Sequence, residues 1–183
     1  MRYADDFVIG FAREEDAPKG MAALPKRFGK HGLAIHPENT RLVRFRPQGR
    51  RADGEPPGSF DLLGFTHLGG LSRKGRWVIK RKTAKGRFRR GRKAIATWCH
   101  EARHRPIKEQ HGILWRKLKG HCAYDGITGN ALWLDRFRNQ VRRTGRKALA
   151  GRSQKGMSWE RFAKLEIRYP CHPVSQCPPC SDA

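Results

Sequence analysis

The sequence predicts an α+β protein, with short strands in its first part and a bundle of helices in its second. Before residue 83, short apolar segments alternate with Gly, Pro and Asn, as in strands joined by turns. From residue 83 to residue 170, apolar residues instead recur every three or four positions, which is the helical spacing. The 183 residues suffice for one or two small domains with real cores.

The net charge predicts a polyanionic partner. The chain has 40 Lys and Arg residues against 16 Asp and Glu, a formal net charge of +24. Such an excess repels itself unless a polyanion is bound, which favours nucleic acid. A membrane surface is the competing partner, but no stretch approaches the roughly 20 apolar residues of a spanning helix, so we expect no membrane association.

The cellular compartment follows from two weaker signals. The chain does not open with a basic segment, an apolar core and a small-residue cleavage site, so we expect no secretion. Its five cysteines, an odd number, fit reduced thiols better than a disulfide framework. Both signals predict a cytoplasmic protein.

Two adjacent carboxylates, Asp5 and Asp6, are the candidate catalytic and metal-binding residues. Tyr3 and Ala4 precede them and Phe7 follows, a pattern typical of a β-hairpin tip. Side chains alternate between the faces of a strand, so adjacent aspartates can serve one site only at a turn. There they could share Mg²⁺, which prefers oxygen ligands. The alternative is an ordinary polar turn.

The segment from residue 13 to residue 80 is predicted as one helix followed by short strands. The helix runs from Arg13 to Lys30, and Pro25 should kink it or end its first part because proline lacks the backbone donor. Residues 48–59 are rich in Gly, Pro and Arg and are predicted as a loop. The predicted strands are Leu33–Ile35, Arg41–Arg46, Phe60–His67 and Arg76–Lys80.

A basic run supplies the candidate nucleic-acid-binding residues. No acidic residue occurs between Asp61 and Glu101. Charge of this density is costly without counter-ions, so phosphate binding is favoured over a merely solvated face. Apolar residues such as Ile95 and Cys99 share one helical face, which leaves the basic residues on the other. The candidates are Lys80, Arg81, Lys82, Lys85, Arg87, Arg89, Arg90, Arg92 and Lys93.

Further helices should follow the basic helix as an antiparallel bundle. A second apolar stripe begins at Ile107 and ends near Gly126, and a third begins after Asn130, a predicted N-cap. Ser158 is predicted to cap the last helix. The connections are short and contain glycine, which favours antiparallel neighbours.

Motifs along most of the chain resemble one family. They are Tyr3-Ala4-Asp5-Asp6, Leu118-Lys119-Gly120-His121, Tyr124-Asp125-Gly126-Ile127-Thr128-Gly129-Asn130 and Arg152-Ser153-Gln154-Lys155-Gly156-Met157-Ser158-Trp159. Together they are similar to the C-terminal part of group II intron-encoded reverse transcriptase/maturases. The resemblance implies the end of the polymerase palm in 1–70, a basic hairpin or linker in 71–82, the thumb and maturase-specific domain in 83–170, and a disordered tail in 171–183.

The resemblance also implies an activity. The family carries out RNA-templated DNA synthesis with two Mg²⁺ ions, for which Asp5 and Asp6 would be metal-site carboxylates. Its partners would be group II intron RNA and an RNA/DNA template-primer. The family needs a further aspartate from upstream, and Met1 leaves almost no strand before the pair, so we expect a truncated chain that is inactive alone. A separate chain could supply the fingers and palm. A non-catalytic RNA-binding maturase that assists splicing is the alternative.

Departures from the family pattern bear on this expectation. Asn39 stands where the family has a lysine near the phosphates of the incoming nucleotide, and an amide lacks that charge. Asp125 stands where a second tyrosine is common, and Gly145 where a tryptophan is common. Near the C-terminus, Cys177 and Cys180 invite a zinc interpretation, but no second such pair follows, so a disordered tail is favoured.

Overall fold

The computed structural model describes residues 2–3, 5–45, 58–72, 74–152 and 154–171. Within these ranges the chain forms two small antiparallel sheets and a set of helices, which confirms the predicted α+β class. The predicted loop 48–59 falls mostly outside the described residues, as does the predicted tail after Cys171. Cys171 itself packs against the helical core.

The N-terminal hairpin pairs strand β1 (Arg2–Tyr3) with strand β2 (Asp6–Phe7), with Tyr3 opposite Asp6. Asp5 therefore lies in the turn, and Asp6 begins the second strand. Helix α1 (Asp16–Gly29) follows and continues through Pro25. No described residue from 5 to 45 is buried, so this part of the chain contributes little to the core.

Two of the predicted strands are wrong. Residues 33–36 and 41–45 are irregular, although Leu33–Ile35 and Arg41–Arg46 have strand-like composition. A strand is stabilised by the neighbour that pairs with its backbone groups, and a short apolar run without such a neighbour gains nothing from being extended. Among the described residues no strand pairs with either segment, which composition alone does not reveal.

The main sheet contains strands β3 (Ser59–Leu62), β4 (Phe65–Leu71) and β5 (Trp77–Thr83) in the order β3-β4-β5, all antiparallel. The single strand predicted over Phe60–His67 is therefore wrong. Leu63 and Gly64 form the turn between β3 and β4, with φ angles of 51° and 78°. Positive φ at both central residues is the mark of the tight type I′ hairpin turn. The expected boundary at residue 70 falls inside β4.

Four helices follow the sheet: α2 (Lys85–Glu101), α3 (Ile107–Asp125), α4 (Ala131–Ala150) and α5 (Trp159–Arg168). The Gln110 side chain donates to the Ala102 carbonyl, which joins the end of α2 to the start of α3. The Asn130 amide donates to Thr83 Oγ1, which brings the starts of α2 and α4 together. Arg142 on α4 pairs with Glu166 near the end of α5. The end of α2 thus lies by the start of α3, the starts of α2 and α4 lie together, and the end of α5 lies against α4.

The core lies between α2, α3 and α4, and its α2 face is as predicted. Ile95 and Cys99 are buried with Leu118, Phe137 and Val141. Burial raises the pKa of the Cys99 thiol to about 11, so this thiol is protonated at neutral pH.

The N-cap of α5 and the state of the cysteines were also predicted from the sequence. The predicted cap at Ser158 is confirmed, because its hydroxyl accepts from the Arg161 backbone N–H at 3.3 Å. The expectation that the thiols are reduced is wrong for Cys122, which is disulfide-bonded. Cys99 is a free thiol.

A small apolar cavity beside Gly145 predicts a route to higher stability. The cavity of about 80 Å³ lies between α3, α4 and α5, and a Cβ added at Gly145 would meet no atom within 4 Å. Gly145→Ala should raise the free energy of unfolding by about 1 kcal/mol through helix propensity. Gly145→Leu should raise it further by filling the cavity.

Urea denaturation of the two Gly145 variants measures both effects. Gly120 on α3 is exposed and also has open space around it, so Gly120→Ala and Gly120→Leu report helix propensity alone. A Gly145→Leu variant less stable than Gly145→Ala would mean that the cavity cannot accept the side chain.

Candidate nucleic-acid interface

The two candidate metal ligands are exposed, and they do not share one setting. Asp6 lines a cleft of about 620 Å³ that lies between the N-terminal hairpin, residues 38–43, the β3–β4 turn and the start of α2, whereas Asp5 does not line it. Mg²⁺ requires about six oxygen ligands in near-octahedral geometry. Within the described ranges, no three His, Cys, Asp or Glu side chains form a group able to hold a metal. The pair alone therefore fits Mg²⁺ poorly.

The wall of this cleft also carries positive charge. Arg41, Arg87 and Arg90 line it, on the same cleft as Asn39. Arg41 Nη2 also donates to the Ser59 carbonyl at 3.3 Å, which joins residue 41 to the start of the sheet. Asn39, which carries no charge, therefore shares the cleft with three arginines.

Three of the candidate cations form a row along helix α2. Lys85, Arg89 and Lys93 are spaced four residues apart, so they lie one above another on one side of the helix. All three are exposed, as is Arg92 beside them. None has a carboxylate partner among the described residues. Like charges at this spacing destabilise a helix, and a bound polyanion would relieve that cost.

The strand cations divide between the two faces of the sheet. In the β4–β5 register Lys80 lies opposite Leu68, Arg81 opposite His67 and Lys82 opposite Thr66. Because side chains alternate along a strand, Lys80 and Lys82 share one face and Arg81 lies on the other. The predicted set of basic residues is therefore not a single surface.

Arg87 belongs to an internal network, unlike the other members of the set. Its Nε donates to both carboxylate oxygens of Asp125 at 3.2 and 3.3 Å, and its guanidinium lies 3.9 Å from the centre of the Tyr124 ring. A Cβ on Gly64 would lie 2.8 Å from Arg87 Cδ, so any larger residue there would require the Arg87 side chain to shift. The Tyr124 hydroxyl donates to the Leu63 carbonyl at 3.1 Å. Arg87 thus joins the sheet to the bundle.

Asn130 occupies the predicted N-cap position of α4, but its side chain bonds to other elements instead of to the helix. Its side-chain oxygen accepts from the Thr83 backbone N–H at 2.9 Å, and its amide donates to Thr83 Oγ1 at 2.8 Å and to the Asp125 carbonyl at 2.7 Å. It makes no capping bond with α4. These bonds satisfy polar groups at the ends of β5 and α3, which burial would otherwise leave without water.

His121 completes the network and predicts a pH dependence of stability. Its Nδ1 lies 3.1 Å from Asp125 Oδ2. Burial is the largest influence on its pKa, which lies below the usual 6.5 despite the opposing attraction of Asp125, so the ring is neutral at pH 7. The unfolded state then binds a proton more readily than the folded state. Stability is therefore present above pH 6.5 and is lost as the pH falls below it.

Denaturant titrations at several pH values test this expectation. His121→Gln should flatten the fall in the free energy of unfolding below pH 6.5. Burial also lowers the pKa of His67, so the pH slope of His67→Gln is compared with that of His121→Gln. An unchanged pH slope in His121→Gln would show that another group carries it.

Positive charge on α4 is partly neutralised by carboxylates. Arg138 pairs with Asp135 at 3.2 Å, and Arg142 with Glu166 at 2.5 Å. Sequence reasoning missed the other side of α4, where Arg136 is exposed and its guanidinium lies 5.0 Å from the centre of the Trp133 ring. The signal was a tryptophan three residues before an arginine, outside the densest basic run.

Comparisons with protein-family profiles, with curated proteins and with solved structures find no match for this chain. No helix in the part of the chain that the structure describes is both long enough and apolar enough to span a membrane.

Proposed function

We propose that the protein binds RNA through the exposed cations of α2 and the neighbouring strand β5, as the C-terminal part of a group II intron reverse transcriptase/maturase. The observation that carries this proposal is the row Lys85, Arg89 and Lys93, which has no carboxylate partner among the described residues. On α4, by contrast, Arg138 and Arg142 do have carboxylate partners. The bound RNA would be intron RNA or a template-primer.

We propose that this chain alone has no polymerase activity. Two-metal phosphoryl transfer needs carboxylates that hold both ions in fixed positions. Asp5 and Asp6 are exposed on a short hairpin, and the described residues supply no third ligand to them. A separate chain that carries the fingers and the rest of the palm would have to complete the Mg²⁺ site.

Primer extension on the purified protein tests the catalytic part of the proposal. With an RNA template, a DNA primer, deoxynucleotides and Mg²⁺, we expect no product above that of an Asp5→Asn, Asp6→Asn double variant. Fluorescence anisotropy with labelled RNA, measured on the same preparation, should nevertheless show binding. Long cDNA made by the wild-type chain alone would overturn the expectation of inactivity.

A non-catalytic maturase is the second candidate function, and the exposed basic row favours it equally. The two candidates differ in what RNA binding achieves. In a splicing assay with a group II intron precursor held at limiting Mg²⁺, a maturase should raise the fraction of spliced RNA. A polymerase fragment that needs a separate chain to supply the palm should leave the fraction of spliced RNA unchanged.

A further inference from the structure

One aromatic side chain lies among the cations of the candidate interface. Trp133 is half-buried in the first turn of α4. Its ring meets the Phe88 ring edge-on, with centres 5.7 Å apart and an interplanar angle of 78°, which holds the indole in place from the α2 side. Phe88 in turn packs against the buried Phe137.

Cations from two other positions surround this indole. Arg136 Cζ lies 5.0 Å and Lys82 Nζ 6.0 Å from the ring centre. Neither cation has a carboxylate partner among the described residues, and on α2 the exposed Lys85 and Arg89 flank Phe88 in sequence. Strand β5, helix α2 and helix α4 therefore bring an indole and uncompensated cations to one place.

We propose that Trp133, Lys82 and Arg136 form a binding site for an unpaired nucleotide of RNA. The base would stack on the indole or on the Arg136 guanidinium, and the cations would hold the adjoining phosphate. Bases in a duplex already stack on one another, so a stacking site selects single-stranded segments. The inference rests on the proposed RNA binding and deepens it, because it names the class of RNA.

The contrast with Trp159 supports this choice. Trp159 is exposed, and Arg146 lies 4.4 Å from its ring centre. Arg146, however, donates to the Met157 carbonyl at 2.6 Å, and Trp159 packs against the buried Phe162 of its own helix. The ring contacts of Trp159 with Phe162 and Arg146 involve neither α2 nor β5, so Trp159 provides a matched control.

The experiment compares single-stranded RNA with a duplex of the same length, by anisotropy at one fixed salt concentration. Trp133→Leu keeps an apolar side chain against Phe88 but removes the aromatic face. It should weaken single-strand binding by roughly 5- to 150-fold, the usual effect of losing one stacked base, and change duplex binding by less than about twofold. Trp133→Phe should recover most of the loss, and Trp159→Leu should change neither affinity.

Two further measurements separate stacking from charge and from misfolding. Trp133→Leu removes no charge, so the slope of log affinity against log salt should stay at its wild-type value. Circular dichroism during thermal unfolding shows whether the variant remains folded, and Trp133→Met, which also lacks an aromatic face, replaces Trp133→Leu if that variant unfolds.

The inference and the proposed function fail in different ways. Equal losses for single strand and duplex, or no loss for either, would overturn the stacking site while RNA binding stands. Absence of RNA binding by the wild-type protein would overturn the proposed function itself.

Discussion

Replacing Asp125 with alanine is expected to lower the free energy of unfolding by about 3 kcal/mol. The carboxylate is fully buried and accepts from Thr83 Oγ1 and from Arg87, with His121 also within 3.1 Å. Its removal leaves the Arg87 cation and the Thr83 hydroxyl without their partner. The estimate lies at the lower end for a broken buried pair because the Arg87 side chain is 32% exposed.

Urea denaturation with Asp135→Ala as the control measures this effect. Asp135 pairs with Arg138 on the surface of α4, and its side chain is 46% exposed, so its loss should cost less than about 1 kcal/mol. Adding Arg87→Met to Asp125→Ala should recover part of the loss, because it removes the unpaired cation. Equal effects of Asp125→Ala and Asp135→Ala would mean that the network contributes no more than a surface pair.

The network also shows which parts of the fold the sequence could predict. The buried face of α2 follows from local periodicity, since residues such as Ile95 and Cys99 repeat at helical spacing. Arg87 and Arg89 look alike in the sequence, and only Arg87 meets Asp125, 38 residues further along the chain. Contacts at that separation leave no periodic signal. The same reason explains Asn130, whose partner Thr83 is 47 residues away.

The β3–β4 turn was missed for a different physical reason. Leucine is disfavoured at positive φ, so Leu63 gave no turn signal, and a lone Gly64 within an apolar run is compatible with one continuous strand. The Arg87 side chain also lies close to Gly64, where an added Cβ would meet it at 2.8 Å. A glycine can thus mark a turn and a crowded contact at once, and only the strand register distinguishes them.

The sequence predicted a basic segment for the candidate site, but it did not predict how the basic residues are arranged in space. The lack of acidic residues between Asp61 and Glu101 identified a basic segment in which, among the described residues, only Arg87 pairs with a carboxylate. Strand pairing places Lys82 and Arg81 on opposite faces of the sheet. Helix packing brings Trp133 and Arg136 of α4 close to Lys82. These contacts decide which cations can act together.

Reversing the charge of two exposed arginines on α2 is expected to give the largest loss of RNA affinity. Arg89→Glu with Arg92→Glu replaces cations that have no carboxylate partner among the described residues, so the fold should tolerate the change. Affinity at about 0.1 M salt should fall at least about tenfold. Because each phosphate contact contributes roughly 0.7 to 0.9 to the slope of log affinity against log salt, that slope should fall by about 1.4 to 1.8.

The matched control reverses the same amount of charge on another helix. Lys108 and Arg116 are exposed on α3, and Lys108→Glu with Arg116→Glu changes the net charge equally. If RNA follows α2, the control should lose less affinity and retain most of the salt slope, since long-range attraction is screened within about 10 Å at 0.1 M salt. Equal losses in the two double variants would mean that the protein holds RNA by its total charge, and the exposed cations of α2 would then have no special part in binding.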